Sequence, residues 1–215
     1  MSSLQLHSPK ILVIDNYDSF TFNLVHLLYE CGHEATVWRN DKFALEEVAA
    51  FDKILLSPGP GIPEEAGLLL EVIRKYGPSK SILGICLGQQ AIAEVYGGSL
   101  YNLSKPVHGT ATPLVITDRD EPLFKGLPLS FPIGRYHSWA VSREGLPDTL
   151  RITAEDEHQV IMAISHKTDD VRGLQFHPES VLTQYGREMI ANWLDAKQPN
   201  AEPTEGHSIH AKPIA

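Results

Sequence analysis

Two short blocks of this chain carry the residue types that make and break acyl bonds: Gly84-Ile85-Cys86-Leu87-Gly88, and farther along Phe176-His177-Pro178-Glu179-Ser180. They supply a thiol nucleophile, a base and an orienting carboxylate, the set for cysteine-dependent acyl transfer. A glycine two residues either side of a nucleophile, between a strand and a helix, is the pattern of a nucleophile elbow, in which the backbone turns sharply and lifts the side chain above the sheet edge. The same turn puts Cys86 at a helix N-terminus, where the dipole and free N–H groups favour a thiolate. A structural cysteine between two packing glycines would carry the same five letters, so the second block matters. Pro178 keeps His177 out of helical geometry. In an extended segment, residues i and i+2 share a face, so Glu179 can reach His177 and fix its tautomer while the other ring nitrogen serves the thiol. The plain alternatives are a hydrogen-bonded core histidine and a solvated surface glutamate.

A third block, Ser57-Pro58-Gly59-Pro60-Gly61, follows the strand-like Lys53 to Leu56. It therefore falls at the strand-end face where ligands gather in open α/β sheets. Backbone N–H groups at Gly59 and Leu87 can there hold a developing oxyanion, although Pro and Gly also make ordinary turns. The rival base is His137, set among Tyr136, Ser138 and Trp139. It lacks a carboxylate at extended spacing.

The elements that must position these groups read as an alternation of strand and helix. The apolar run Lys10 to Asp15 predicts a buried strand, and Phe20, Leu24, Leu27 and Leu28 predict a helix over Phe20 to Glu30, closed at Gly32. Further strands are expected at Ala35 to Trp38, Lys53 to Leu56 and Ser81 to Ile85. Helical segments are expected at Phe43 to Ala49, Ala66 to Tyr76 and Leu87 to Tyr96. Such alternation predicts a parallel sheet covered on both faces. After Gly97-Gly98 the pattern changes to strands between turn signals, at Pro113 to Thr117, Arg151 to Ala154, Val160 to Ser165 and Gly173 to Phe176. These predict a mixed or antiparallel extension. A last amphipathic helix, Tyr185 to Ala196, gathers Met189, Ile190, Trp193 and Leu194 on one side. One domain over residues 1–197 is expected, followed by a weakly ordered tail over 198–215. His207 and His210 in that tail would make at best an adventitious metal site, so no metal is expected.

Composition narrows the function classes. The 215 residues carry a net charge of -9 and no run of Lys or Arg, which argues against nucleic acid and anionic membrane surfaces as partners. The first residues lack a signal-peptide pattern and no apolar run approaches a membrane span, so a cytoplasmic protein is expected. The two cysteines, Cys31 and Cys86, form no disulfide framework. Cys31, before Gly32, reads as a small buried apolar residue.

Taken in order, five blocks resemble the class I (triad) glutamine amidotransferases, and within them the small subunit common to anthranilate synthase and aminodeoxychorismate synthase. They are residues 14–21 (Ile14 to Thr21), Ser57 to Gly61, Gly84 to Gln90, Arg135 to Trp139 and Gln175 to Ser180. The resemblance covers about Lys10 to Ala196 and implies a flavodoxin-like open mixed sheet. It implies that Cys86 attacks the carboxamide of L-glutamine, that His177 moves the protons, and that Glu179 orients His177. It also assigns Gly59, Pro60 and Gly61 to the substrate and oxyanion, Gln90 to a polar contact with glutamine, and the Ser138-Trp139 backbone to its amino-acid end. The block at Asp15 to Thr21, otherwise a helix entry with Asp18 or Ser19 as N-cap, is implied to lie near a partner face. Two positions depart from the family pattern: Gln89 where His is usual, and Thr110 where Lys is frequent. They leave the triad intact and bear on subunit contact and signalling.

A glutaminase of this kind is useful beside an acceptor site that takes up ammonia before it is protonated. The resemblance implies that a larger chorismate-using synthase subunit supplies that site, together with any Mg²⁺, and that the smaller chain itself needs no cofactor. The product would be anthranilate in the tryptophan pathway, 4-amino-4-deoxychorismate in the para-aminobenzoate and folate pathway, or both. A stand-alone cysteine hydrolase of γ-glutamyl substrates, a glutaminase for another acceptor, and a binding subunit without turnover are the alternatives.

Overall fold

The structure, a computed structural model, describes residues 8–196. The expected tail and its two histidines lie outside them. Nine strands form one sheet: β1 (Ile11–Asp15), β2 (Ala35–Arg39), β3 (Lys53–Leu56), β4 (Ser81–Ile85), β5 (Leu100–Ile116), β6 (Ser130–Val141), β7 (Leu150–Glu155), β8 (Ile161–His166) and β9 (Val171–Leu174). Their order across the sheet is β2-β1-β3-β4-β9-β8-β7-β5-β6. The first five in that order are parallel, and from β8 onward the pairing is antiparallel. This is the expected parallel core with its antiparallel extension.

Period-two alternation splits each core strand between two hydrophobic layers. Val13, Leu55, Leu83 and Ile85 pack with Leu24 and Leu28 of α1 (Thr21–Glu30) and Met189, Ile190 and Trp193 of α4 (Gly186–Asp195). Leu12, Ile14, Ile54, Leu56 and Ile82 face the other way, onto Leu69, Val72 and Ile73 of α2 (Leu69–Tyr76) and Ala91 and Ile92 of α3 (Leu87–Val95). Each such fully buried Val, Leu, Ile or Met side chain contributes roughly 1.5–3 kcal/mol, so apolar burial is the main hold on both layers of helices. One polar contact does fix α4: the buried Lys53 ammonium donates to the carbonyl of Trp193 at 2.9 Å, satisfying a terminal carbonyl of that helix.

Several boundaries differ from expectation. The segment after Phe43 is a 3₁₀ helix over Leu45–Ala50, and a second 3₁₀ turn, Pro63–Glu65, precedes α2, which starts three residues later than predicted. Neither Asp18 nor Ser19 caps α1; Phe20 occupies that position, and the Asp18 carboxylate accepts from the Phe20 N–H at 2.7 Å. The largest miss is the β5/β6 hairpin, of which only Pro113 to Thr117 was expected. The strand carries Pro106, Gly109 and Pro113, yet β5 pairs with β7 only at Val115 and Ile116 and is otherwise open on that side, and β6 is the sheet's last strand. Proline is tolerated where no ladder bond is lost. A register shift between His108 and Thr110 absorbs Gly109, whose φ is +65°.

The β4–α3 crossing sets the position of Cys86. A Cβ added at Gly84 would collide with the Gly88 backbone and stand 2.7 Å from Ile92 Cδ1. Gly84→Ala is therefore expected to lower unfolding free energy by about 2 kcal/mol, within the usual overpacking range, read as a shift of the urea midpoint. An unchanged midpoint would mean that helix and strand can separate without cost.

Candidate active site

Three strand ends converge. Cys86 follows β4 and precedes α3 with φ 52° and ψ −99°, a left-handed conformation strained for a residue with a side chain. Its N–H donates to the Leu174 carbonyl at 2.7 Å, which ties the turn to the end of β9. The nucleophile elbow expected from the glycine spacing is thus present.

His177 comes three residues after β9. Its N–H donates to the Gly134 carbonyl of β6 at 3.0 Å, and its own carbonyl accepts from Thr183 Oγ1 at 2.6 Å. The ring's Nδ1 meets Glu179 Oε1 at 2.7 Å, with both side chains buried. The contact is the one expected, but its backbone cause is different. β9 ends at Leu174, and residues 177–180 form a turn closed by the Ser180 N–H on the His177 carbonyl at 3.2 Å. A turn, not extended alternation, brings the carboxylate back to the ring. Tyr136 and Phe20 pack edge-on to the imidazole at centroid distances of 5.0 and 5.9 Å. Burial disfavours a charge on His177, yet Cys86 and Glu179 together outweigh it and raise the ring to about 10.

His137 has the opposite environment. Arg135, itself paired with buried Asp156 at 2.6 Å, donates from Nε to His137 Nε2 at 3.1 Å. A guanidinium can only donate, so Nε2 accepts, and Nδ1 carries the hydrogen given to the Trp139 carbonyl at 2.8 Å. Burial, aided by Arg135, pushes the ring down to about 4 against the pull of that carbonyl. With both nitrogens engaged, His137 is a neutral strut for the wall and not a base.

The loop Ser57 to Gly61 is held from β1. The Asn16 N–H donates to the Ser57 hydroxyl at 2.9 Å, its Nδ2 donates to the Ser57 carbonyl at 2.8 Å, and its Oδ1 accepts from Asn40 at 3.1 Å. An added Cβ at Gly59 would lie 2.6 Å from both Asn16 Cβ and Leu87 Cδ2, so only glycine lets this loop approach the elbow so closely. Sequence reasoning gave Asn16 and Phe20 no place in the site; their block was read as a helix entry near a partner face. Tyr136 and Gln175 were seen only as members of blocks. Gln89, by contrast, is fully buried and packs against Gly173, so its departure from the family pattern lies in the core and not at a subunit surface, whereas Thr110 is exposed on β5.

Gly59, Pro60, Gly61, Cys86, Gln90, Tyr136, His137, Ser138 and Trp139 line a cavity of about 210 Å³. That is well above the space one water needs and suits a small metabolite. A larger cavity of about 540 Å³ beside Arg119, Lys125 and Asn192 lies at the opposite end of the strands and contains no nucleophile. Among the described residues no group of His, Cys, Asp and Glu is arranged to hold a metal, and no helix is long and apolar enough to cross a membrane.

A doubly covered α/β sheet here brings a strained thiol turn and a buried histidine–carboxylate pair to one strand-end face. The family model for Glutamine amidotransferase class-I matches residues 12–196, and the chain belongs to that family. It is 45% identical to Aminodeoxychorismate synthase component 2 of Escherichia coli over 86% of this chain and 98% of the relative. It is 44% identical to Anthranilate synthase component 2 of Pseudomonas aeruginosa over 86% of this chain and 94% of the relative. Among solved structures, a GMP synthase subunit protein of Thermoplasma acidophilum superposes with a TM-score of 0.78 at 30% identity, over 87% of this chain and 93% of the other.

Two outcomes follow from the charges. Because Glu179 helps hold the proton on His177, Glu179→Gln should move the ring's titration midpoint well below about 10 in a histidine NMR titration. An unmoved midpoint would exclude the carboxylate as its cause. His137 binds its proton less readily in the folded protein, at about 4, than its usual 6.5 when unfolded. The unfolded chain therefore takes up more protons between those values, and stability falls as pH drops through that window. His137→Gln should lose less stability between pH 7 and pH 5 than the parent does, measured by urea unfolding at each pH.

Proposed function

We propose that this chain is the glutaminase subunit of a chorismate-using synthase, with Cys86 as nucleophile, His177 as proton carrier and Glu179 as its orienting partner. The observation that carries the reading is the buried His177–Glu179 pair, 2.7 Å apart, beside the strained Cys86 turn at the mouth of an amino-acid-sized cavity.

The Cys86 thiolate attacks the carboxamide carbon of L-glutamine, and the carbonyl oxygen takes up the negative charge. The N–H groups of Gly59 and Leu87 are the donors for that oxyanion; Leu87 opens α3, where no intrahelical carbonyl claims its hydrogen. Collapse breaks the C–N bond, His177 gives its proton to the departing nitrogen, and ammonia leaves a thioester. Water then attacks the thioester, His177 accepts a proton from it, and glutamate departs with Cys86 regenerated. Gly59, Pro60 and Gly61 line one side of the substrate, and the Ser138-Trp139 backbone meets its amino-acid end. Gln90 offers one kind of contact: its Nε2 already donates to Trp139 O at 3.0 Å and Gln175 Oε1 at 3.2 Å, so its Oε1 is what a ligand N–H can use.

Ammonia is useful only if an acceptor receives it before protonation, and the names of the relatives at 44 and 45% identity point to the chorismate-using synthases as acceptors. A chain of similar length named as a GMP synthase subunit is only 30% identical, so identity, and not chain length, favours chorismate. Any Mg²⁺ belongs to the larger synthase chain.

The test mixes the purified chain with each chorismate-using large subunit of its source organism. Glutamine-dependent formation of anthranilate, aminodeoxychorismate or both is expected. No product from partners that are active on ammonium salts would reject the chorismate reading. Cys86→Ala and His177→Ala should each cut glutamine-dependent synthesis by at least about ten-thousand-fold, the scale of losing one member of a catalytic set, and leave ammonia-dependent synthesis intact. Glu179→Ala should lose less. Glutamine turnover by Cys86→Ala would exclude Cys86 as the nucleophile.

A further inference from the structure

Gln175 is fully buried in the turn that leads from β9 to His177, and its Nε2 lies 3.5 Å from Cys86 Sγ. Its Oε1 accepts from Gln90 Nε2 at 3.2 Å, and the same Gln90 nitrogen donates to the Trp139 carbonyl at 3.0 Å. That backbone carbonyl fixes the polarity of the whole chain of bonds, because it can only accept. Gln90 must therefore present its nitrogen, Gln175 must answer with its oxygen, and Gln175's own nitrogen is left facing the sulfur. The Trp139 carbonyl is held in turn by His137, which is held by the Arg135–Asp156 pair.

We infer that Gln175 donates a hydrogen bond to the Cys86 sulfur and stabilises negative charge there, with Gln90 as the residue that locks it in the donating orientation. The inference rests on the reading of Cys86 as nucleophile. A buried amide must satisfy its polar groups, and a core glutamine could do so with any acceptor; here the amide ends on the reacting atom. Hydrogen bonds to charged groups are stronger than neutral ones, so the donor counts most when the sulfur is a thiolate. It also acts before substrate arrives, unlike the backbone donors at Gly59 and Leu87, which face the charge that develops on the substrate oxygen.

The test is the rate of Cys86 alkylation by iodoacetamide in the isolated full chain, followed by peptide mass over a range of pH with Cys31 as internal reference. Gln175→Met keeps length and removes the donor, and should slow Cys86 alkylation about tenfold at acid pH, the deficit closing as pH rises and the thiol ionises regardless. Gln175→Glu, which places a carboxylate against the sulfur, should slow it further. Gln90→Met keeps the backbone N–H bond to the Cys86 carbonyl at 3.1 Å and removes only the side-chain amide that holds Gln175, so a smaller deficit with the same pH profile is expected, and it carries the test if Gln175 variants do not fold. A profile unchanged in every folded variant overturns the role of Gln175. Glutamine-dependent synthesis by the parent protein, and its loss in Cys86→Ala, reports separately on the nucleophile itself.

Discussion

The backbone of Cys86 sits in a conformation that side-chain-bearing residues avoid, and the surrounding structure is built to keep it there. Such a residue costs about 1–3 kcal/mol, which must be covered by its neighbours. On one side the Cys86 N–H is bonded to the end of β9; on the other α3 is pressed against β4 through Gly84 and Gly88 with no room for a methyl group. The turn aims the thiol out of the sheet and sets it at the head of a helix. Every other group in the site is arranged around that fixed point: the Gly59 loop in contact with Leu87, the Gln175 amide beside the sulfur, and the His177 ring within its influence.

The two histidines illustrate how environment assigns a role. His177 and His137 are both buried, and burial alone would discharge both. His177 faces a carboxylate and a thiol and is pulled up to about 10; His137 faces a guanidinium and is left near 4. The same side chain, equally buried, is thus biased toward opposite protonation states. His137 matters because the carbonyl it supports, that of Trp139, is shared with Gln90 and forms part of the wall of the cavity.

Much of the frame was legible in the residues. β3 and β4 have the expected bounds, because the apolar runs at Ile54 to Leu56 and Ile82 to Ile85 are buried on both faces of a parallel sheet. The sharp turn at Cys86 was legible from glycines on both flanks between a strand and a helix, while a structural cysteine would carry the same letters, so the reading of its chemistry leaned on the second block. The β5/β6 hairpin was not, since prolines and glycines that signal turns are harmless at a sheet margin, and margins are decided by which strands pair. The His177–Glu179 contact was foreseen from spacing, and the turn that makes it was not, because a two-residue separation serves both geometries.

The strand–helix alternation, the two-faced core and the chemical identities at the three strand ends were all contained in the order of the residues. They follow from local spacing and side-chain chemistry, which need no knowledge of distant residues. Folding in three dimensions settled which histidine meets a carboxylate and which a guanidinium, that Asn16 anchors the Gly59 loop, that Phe20 and Tyr136 box the imidazole, and which end of Gln175 faces the sulfur. Each of these depends on groups far apart in the chain meeting at a few ångströms, where the charge or hydrogen-bonding capacity of the neighbour sets what a residue does.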